Sequence, residues 1–176
     1  MLRKLLLGVV ILIAAVLLLA TRQPDTFSVE RRIVVNAPPE RVFAQINDFH
    51  AWEAWSPWAK LDPAMQVTYS GAAQGMGAVY EWRGNSDVGE GRMAIKSATA
   101  PSEVMIALDF LTPFESHNVT TFMLTPTESG TEVIWTMKGN AEYVTKLMTM
   151  FVSMDKMVGP DFSRGLEQLK AVVERP

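Results

Sequence analysis

The pattern of hydrophobic and polar positions divides the chain at about residue 25. From Leu5 to Ala20 no charged residue interrupts an apolar run, which has Arg3 and Lys4 before it and Arg22, Pro24 and Asp25 after it. The run is a little shorter than the ~20 residues that span a bilayer untilted, and longer than most signal-peptide cores. Leu18 places a bulky side chain where a cut after Ala20 would want a small one, and no cysteine follows to carry a lipid. The pattern therefore favours an uncleaved signal anchor over a cleaved signal peptide. Its basic flank favours a cytoplasmic N-terminus. Residues 1–22 are expected to be the anchor, crossing the membrane through residues 5–21. Residues 23–26 are then a linker, and residues 27–176 a single domain on the non-cytoplasmic side, periplasmic or extracellular in a bacterium.

From Phe27 onward the period changes. "FSVERRIVV" alternates and predicts a strand from Phe27 to about Val35; Pro38 and Pro39 then suit the first positions of a short helix whose apolar face is Val42, Phe43 and Ile46. Further strands are predicted at about Met65 to Tyr69, Gly77 to Arg83, Gly89 to Ala98, Glu103 to Phe110, Ser116 to Pro126 and Thr131 to Gly139, each bounded by turn chemistry. Links this short permit hairpins, not parallel crossovers, so the strands form an antiparallel meander. Helical spacing returns from Tyr143 to about Val158, and again from Pro160 to the end through Phe162, Leu166, Leu169 and Val173. Gly159 and Pro160 read as a break between the two helices, about which the first could shift as a movable cavity wall.

Composition narrows the function classes. Sixteen Lys and Arg against nineteen Asp and Glu give a net charge of −3, and the basic residues are scattered, so no nucleic-acid partner is expected. Without cysteine there is no disulfide, thiolate metal site or cysteine nucleophile. The two histidines, His50 and His117, lie at no metal-ligand spacing and have no evident orienting partner, so neither metal, cofactor nor catalytic residue is assigned. Asn118 begins an "NVT" acceptor sequence, but inside a predicted strand the match reads as chance.

The segment "NDFHAWEAWSPWAKLDP" places Trp52, Trp55 and Trp58 three residues apart. At 3.6 residues per turn the three would fan around a helix and leave at least one half exposed. Indole favours the bilayer interface, which is one role open to the segment.

The order of strand, short helical segment, six strands and long final helix resembles the START-like or SRPBCC superfamily, in particular its polyketide cyclase/dehydrase branch. The residues carrying the resemblance are "VVNAPPERVFAQINDFHAWEAWSPW", "GTEVIWTMKG" and "MDKMVGPDFSRGLEQLK". The resemblance implies an α+β helix-grip fold, a seven-stranded curved antiparallel sheet wrapped around a long C-terminal helix with an apolar cavity between them. It also implies binding of a hydrophobic small molecule or lipid, with a cyclase/dehydrase-like enzyme or a ligand-free protein-interaction module as alternatives. The resemblance sets the tryptophan segment at the cavity mouth, as a plug that also gates entry, and so implies Trp55 and Trp58 as cavity lining; alternation and helical spacing add Tyr80, Trp82, Ile106, Leu108, Phe110, Asn118, Thr120, Phe122, Trp135, Met150, Phe151, Met154 and Phe162.

Overall fold

The computed structural model describes residues 2–175. Helix α1, Leu2–Ala20, is one unbroken apolar helix. At ~1.5 Å per residue its nineteen residues rise about 28 Å, close to the ~30 Å of a hydrocarbon core. Among the described residues it is the one helix long and apolar enough to cross a membrane, and apart from Ala20 its side chains are not buried.

The chain continues through β1 (Thr26–Val35), α2 (Pro39–Ile46) and a 3₁₀ turn (Phe49–Ala54). Then come β2 (Gln66–Gly71), β3 (Ala78–Arg83), β4 (Glu90–Thr99), β5 (Glu103–Thr112), β6 (Ser116–Thr127) and β7 (Gly130–Asn140), followed by α3 (Tyr143–Thr149) and α4 (Met154–Val173). The seven strands form one curved antiparallel sheet in the order β1-β7-β6-β5-β4-β3-β2. Strands β2 to β7 are a meander, and β1 joins it at the far edge beside β7, with Thr26 opposite Asn140. Alternation decides which side chains turn inward: Val29, Ile106, Phe122, Leu124, Val133 and Trp135 are buried with Phe162, Leu166, Leu169 and Val173 of α4. The α+β helix-grip architecture read from the sequence is the architecture present.

Two close approaches set how the layers meet. Gly91 on β4 leaves room for the Trp82 ring, which occupies the space a Cβ would need. Gly165 on α4 lies against Trp135 and Pro57, where a Cβ would stand 2.9 Å from Trp135 Cζ3 and 3.1 Å from Pro57 Cδ.

The helix boundary near the C-terminus differs from the expected one. The chain breaks at 150–153, not at Gly159, and Pro160 lies inside α4. Ser153 supplies the true start: its extended backbone and side-chain oxygen, which accepts from the Lys156 amide at 3.3 Å, cap the helix, and Asp155 sits in the favourable first turn. Gly159 has a packing reason. The Arg31 guanidinium lies over it, held by both carboxylate oxygens of Asp155 at 2.7 and 3.0 Å, and any Cβ there would collide with Arg31. The Gly159–Pro160 pair is thus a contact point between α4 and β1, and the expected hinge about it is withdrawn.

Gly165→Val should force α4 away from Trp135 and cost about 1–3 kcal/mol, the usual penalty of overpacking. Urea unfolding checks it; an unchanged midpoint would show that the helix is not seated on the indole.

Candidate functional site

The tryptophan segment is built onto the end of α2. A helix leaves its last carbonyls without backbone partners. Here two indoles supply them: Trp52 Nε1 donates to the Ile46 carbonyl at 3.0 Å and Trp55 Nε1 to the Gln45 carbonyl at 3.2 Å. The segment is a 3₁₀ turn, with ~3.0 residues per turn, capped by Trp55, so Trp52 and Trp55 enter one core together, and the expected half-exposed tryptophan is the third. Trp58, beyond the turn, is only partly buried. The rings converge on Trp135, which stacks on Phe162 at 4.0 Å and on Phe122 at 4.8 Å between centroids, and meets Trp52, Trp55 and Trp58 edge to face at 6.5, 5.9 and 6.0 Å.

Beside this aromatic cluster lies a cavity of about 850 Å³, bounded by the inner sheet face, the tryptophan segment and the first turns of α4. That volume falls near the top of the ~300–1,000 Å³ usual for small-molecule sites. Among the nominated residues, Trp58, Tyr80, Trp82, Leu108, Phe110, Asn118, Thr120, Trp135, Met154 and Phe162 line it. Five others do not. Trp55, Ile106 and Phe122 face inward but are fully buried, since α2 covers the half of the sheet that carries Ile106 and Phe122. Met150 caps α3 at the chain reversal, and Phe151 points outward with 74% of its surface exposed. Spacing on a presumed continuous helix had turned both inward.

Other lining residues were missed. Phe27, Met93 and Met137 alternate with Val29, Ile95 and Trp135, so strand period could have found them. Asp62, Met65 and Val88 sit on loops, where no period operates. Asp62 is buried and accepts from the Ala64 amide at 2.9 Å and the Asn85 amide at 2.7 Å, tying the loop after Trp58 to the β3–β4 loop.

The polar part of the wall is concentrated on β6. Ser116, Asn118 and Thr120 project inward in succession. Thr120 Oγ1 accepts from Trp135 Nε1 at 2.8 Å and donates to the Thr136 carbonyl at 3.0 Å. Asn118 Nδ2 donates to the Leu108 carbonyl at 3.4 Å and Ser116 Oγ at 3.3 Å, while its Oδ1 is buried without a partner among the described residues. With Asn118 this deeply buried, its acceptor sequence is inaccessible to glycosylation. Around the rim Glu53, Asp62, Asp87 and Asp161 outnumber Lys60. Burial pushes the Tyr80 hydroxyl up to about 12, with Tyr69 and Glu53 adding to the effect, and raises Tyr69 as well. Both phenols therefore stay protonated near neutral pH and serve as hydrogen-bonding groups, not bases.

Neither histidine lines the cavity, yet each has the partner the sequence did not reveal. His50 Nδ1 lies 2.9 Å from Asp48 Oδ1 and its ring stacks on Tyr69 at 4.0 Å. His117, on the outer face of β6, lies 2.8 Å from Asp109, its cross-strand neighbour, and 3.4 Å from Glu115. The hydrogen bond to Asp109 raises its pKa. Among the described residues no three His, Asp or Glu side chains are grouped to hold a metal.

Residues 26–174 match the family described as polyketide cyclase / dehydrase and lipid transport. The chain belongs to this family, within the SRPBCC superfamily. Among solved structures it resembles a protein from Chromobacterium violaceum with a TM-score of 0.60 and 18% identity, covering 87% of this chain and 100% of that one. The Aha1 dimer from Colwellia psychrerythraea aligns with a TM-score of 0.59 and 18% identity over 84% and 96% of the two chains. The di-domain ARO/CYC StfQ from the steffimycin biosynthetic pathway aligns with a TM-score of 0.61 and 10% identity, over 85% of this chain and 51% of its own. At such identities the likeness shows the fold alone. No curated protein matches the sequence.

Replacing Thr120 with valine keeps the shape but strands the buried Trp135 N–H, and should cost about 1–3 kcal/mol on chemical unfolding. A midpoint within error of the parent would mean that the indole finds another acceptor.

For His117 the raised pKa fixes the sign: its pairing stabilises the fold fully below the ordinary value near 6.5 and is lost as pH rises through the higher folded value. An imidazole NMR titration should show that elevation, and Asp109→Asn should abolish most of it.

Proposed function

We propose that the domain is a binding protein for a hydrophobic small molecule or lipid, held at the membrane by α1. The observation that carries the reading is the cavity itself, about 850 Å³ walled by Trp58, Tyr80, Trp82, Phe110, Trp135, Phe162 and four methionines, Met65, Met93, Met137 and Met154. Aromatic walls bury large apolar area, and flexible methionines adapt to varied shapes. The family's description, which includes lipid transport, supports the same reading.

The polar groups suggest how a ligand would lie. Ser116, Asn118 and Thr120 form a short hydrogen-bonding strip within otherwise apolar walls, suited to a single hydroxyl or carbonyl. The acidic rim disfavours a carboxylate or phosphate head on electrostatic grounds, so the favoured ligand is a neutral amphiphile. Residues 1–22 serve as anchor and residues 27–176 as the binding domain on the non-cytoplasmic side, a topology supported by Arg3 and Lys4 ahead of the apolar helix.

Met154→Trp should fill the wall at the start of α4 and weaken binding of the neutral dye Nile red about tenfold or more, with little change in thermal stability. If the position is dense core, the same change should instead leave affinity unaltered and destabilise the fold by about 1–3 kcal/mol. Carbonate extraction tests the tether: the full-length chain should remain in the membrane fraction and a chain beginning at Asp25 should be released.

A further inference from the structure

We infer that the end of the domain bearing the β5–β6 turn and the α3–α4 link is a membrane-contacting surface, seated on the bilayer by Leu111, Phe114, Met148, Phe151 and Val152. The inference rests on the reading of α1 as a membrane anchor, and it adds an orientation that anchoring alone does not require.

Strand register places the parts. Thr26 pairs with Asn140, Gly139 with Asn118, Ser116 with Phe110, and Glu90 with both Thr112 and Arg83. The start of β1, the end of β7, the β5–β6 turn and the β3–β4 loop therefore gather at one end of the sheet. Part of the cavity wall is at that end too: Asp87 and Val88 of the β3–β4 loop, Ser116, Thr145 of α3 and Met154 of α4.

The linker from α1 arrives at the same place. Residues 21–25 are five residues and reach at most ~18 Å when fully extended. They are not fully extended. The Tyr143 hydroxyl, on the first residue of α3, donates to the Leu17 carbonyl at 3.1 Å, and Lys146 of α3 pairs with Asp25 of the linker. Leu17 lies three residues inside the apolar helix, so α3 stands level with its last turn. That is the depth of the bilayer interface, and a tyrosine is suited to it.

At this depth the domain exposes apolar side chains that its own core does not use. Phe151 is 74% exposed and Phe114 56%, with Leu111, Met148 and Val152 also open, on the β5–β6 turn and the α3–α4 segment. At the opposite end the turns at 36–38, 72–77, 100–102 and 128–129 expose one large apolar residue, Met76, among the described residues. Glu115 follows Phe114, while Lys146 and Lys156 bracket the Met148–Val152 segment, so the charges beside the apolar residues are of both signs; the partner that fits is a zwitterionic phospholipid surface, entered by the apolar side chains. A ligand leaving the cavity at this end would pass into lipid without crossing water.

The absence of cysteine allows single labels to test this on the full-length protein in phosphatidylcholine vesicles. Leu12→Cys, Phe151→Cys and Met76→Cys are each coupled to a nitrobenzoxadiazole dye and exposed to a mixture of lipids spin-labelled at shallow and at deep acyl positions, or to aqueous iodide. The lipid quencher should reduce Leu12 and Phe151 emission at least twofold and leave Met76 unchanged, whereas iodide should reach Met76 and not Phe151. A quenched Leu12 label beside an iodide-accessible Phe151 label overturns the docking surface and leaves the anchor standing. A Leu12 label unaffected by the lipid quencher overturns the anchor, and the docking surface falls with it.

Discussion

The stacking of Trp135 between Phe122 and Phe162 is the interaction on which the rest of the interior depends. One indole joins β6, α4 and the tryptophan segment, and its N–H is fixed by Thr120. Because the indole lies so close to α4, any side chain at position 165 would have to displace it, and because Pro57 presses on the same glycine the loop after Trp55 is held down as well. Five contacts of this kind, each worth about 0.5–1.5 kcal/mol beyond simple burial, make the cluster rigid relative to its surroundings.

That rigidity also explains where the fold leaves space. The aromatic cluster and α2 fill the half of the sheet under Ile106, Phe122 and Val133, all fully buried. Toward the β5–β6 turn no comparable plug is present, and the inward positions on β6 change from Phe122 to Thr120, Asn118 and Ser116. Covering this strand with apolar side chains would leave the Asn118 Oδ1, which has no partner among the described residues, cut off from any donor. The start of α4 is kept over the β1 edge by Arg31 and Asp155. The void between these boundaries is therefore a consequence of residue choice on one strand.

Sequence and structure agree most closely where a physical period governs the chain. The seven strands were legible because alternation and turn residues recur together, and the strand limits differ by only a residue or two. Period identifies a face, but not a depth. Ile106 and Leu108 are indistinguishable by alternation, yet α2 covers the first and the cavity bounds the second. The tryptophans follow the expectation that not all three enter one core, since Trp58 is only partly buried; which two do was not legible, because a 3₁₀ turn and an α-helix rotate side chains differently over the same spacing. At the C-terminus, Pro160 outweighed Ser153 in the reading because proline is the stronger local signal, while the Arg31 contact that makes Gly159 necessary links positions 128 residues apart in sequence. The histidine partners were hidden in two ways: Asp48 was near His50 but gave no periodic signal, and Asp109 became a neighbour of His117 only through strand register.

The topology also relates the tether to the site. In an antiparallel sheet whose first strand pairs with its last, the residue entering β1 must emerge beside the residue leaving β7. Any segment N-terminal to β1 is therefore delivered to the β7–α3 connection, whatever its sequence. Here that connection leads through α3 directly into the helix that closes the cavity, and Tyr143 and Lys146 make contacts to Leu17 and Asp25 on the arriving chain. With α1 as the anchor proposed above, this topology would do more than limit diffusion: it would set which end of the sheet faces the bilayer, and the polar strip on β6 lies toward that same end.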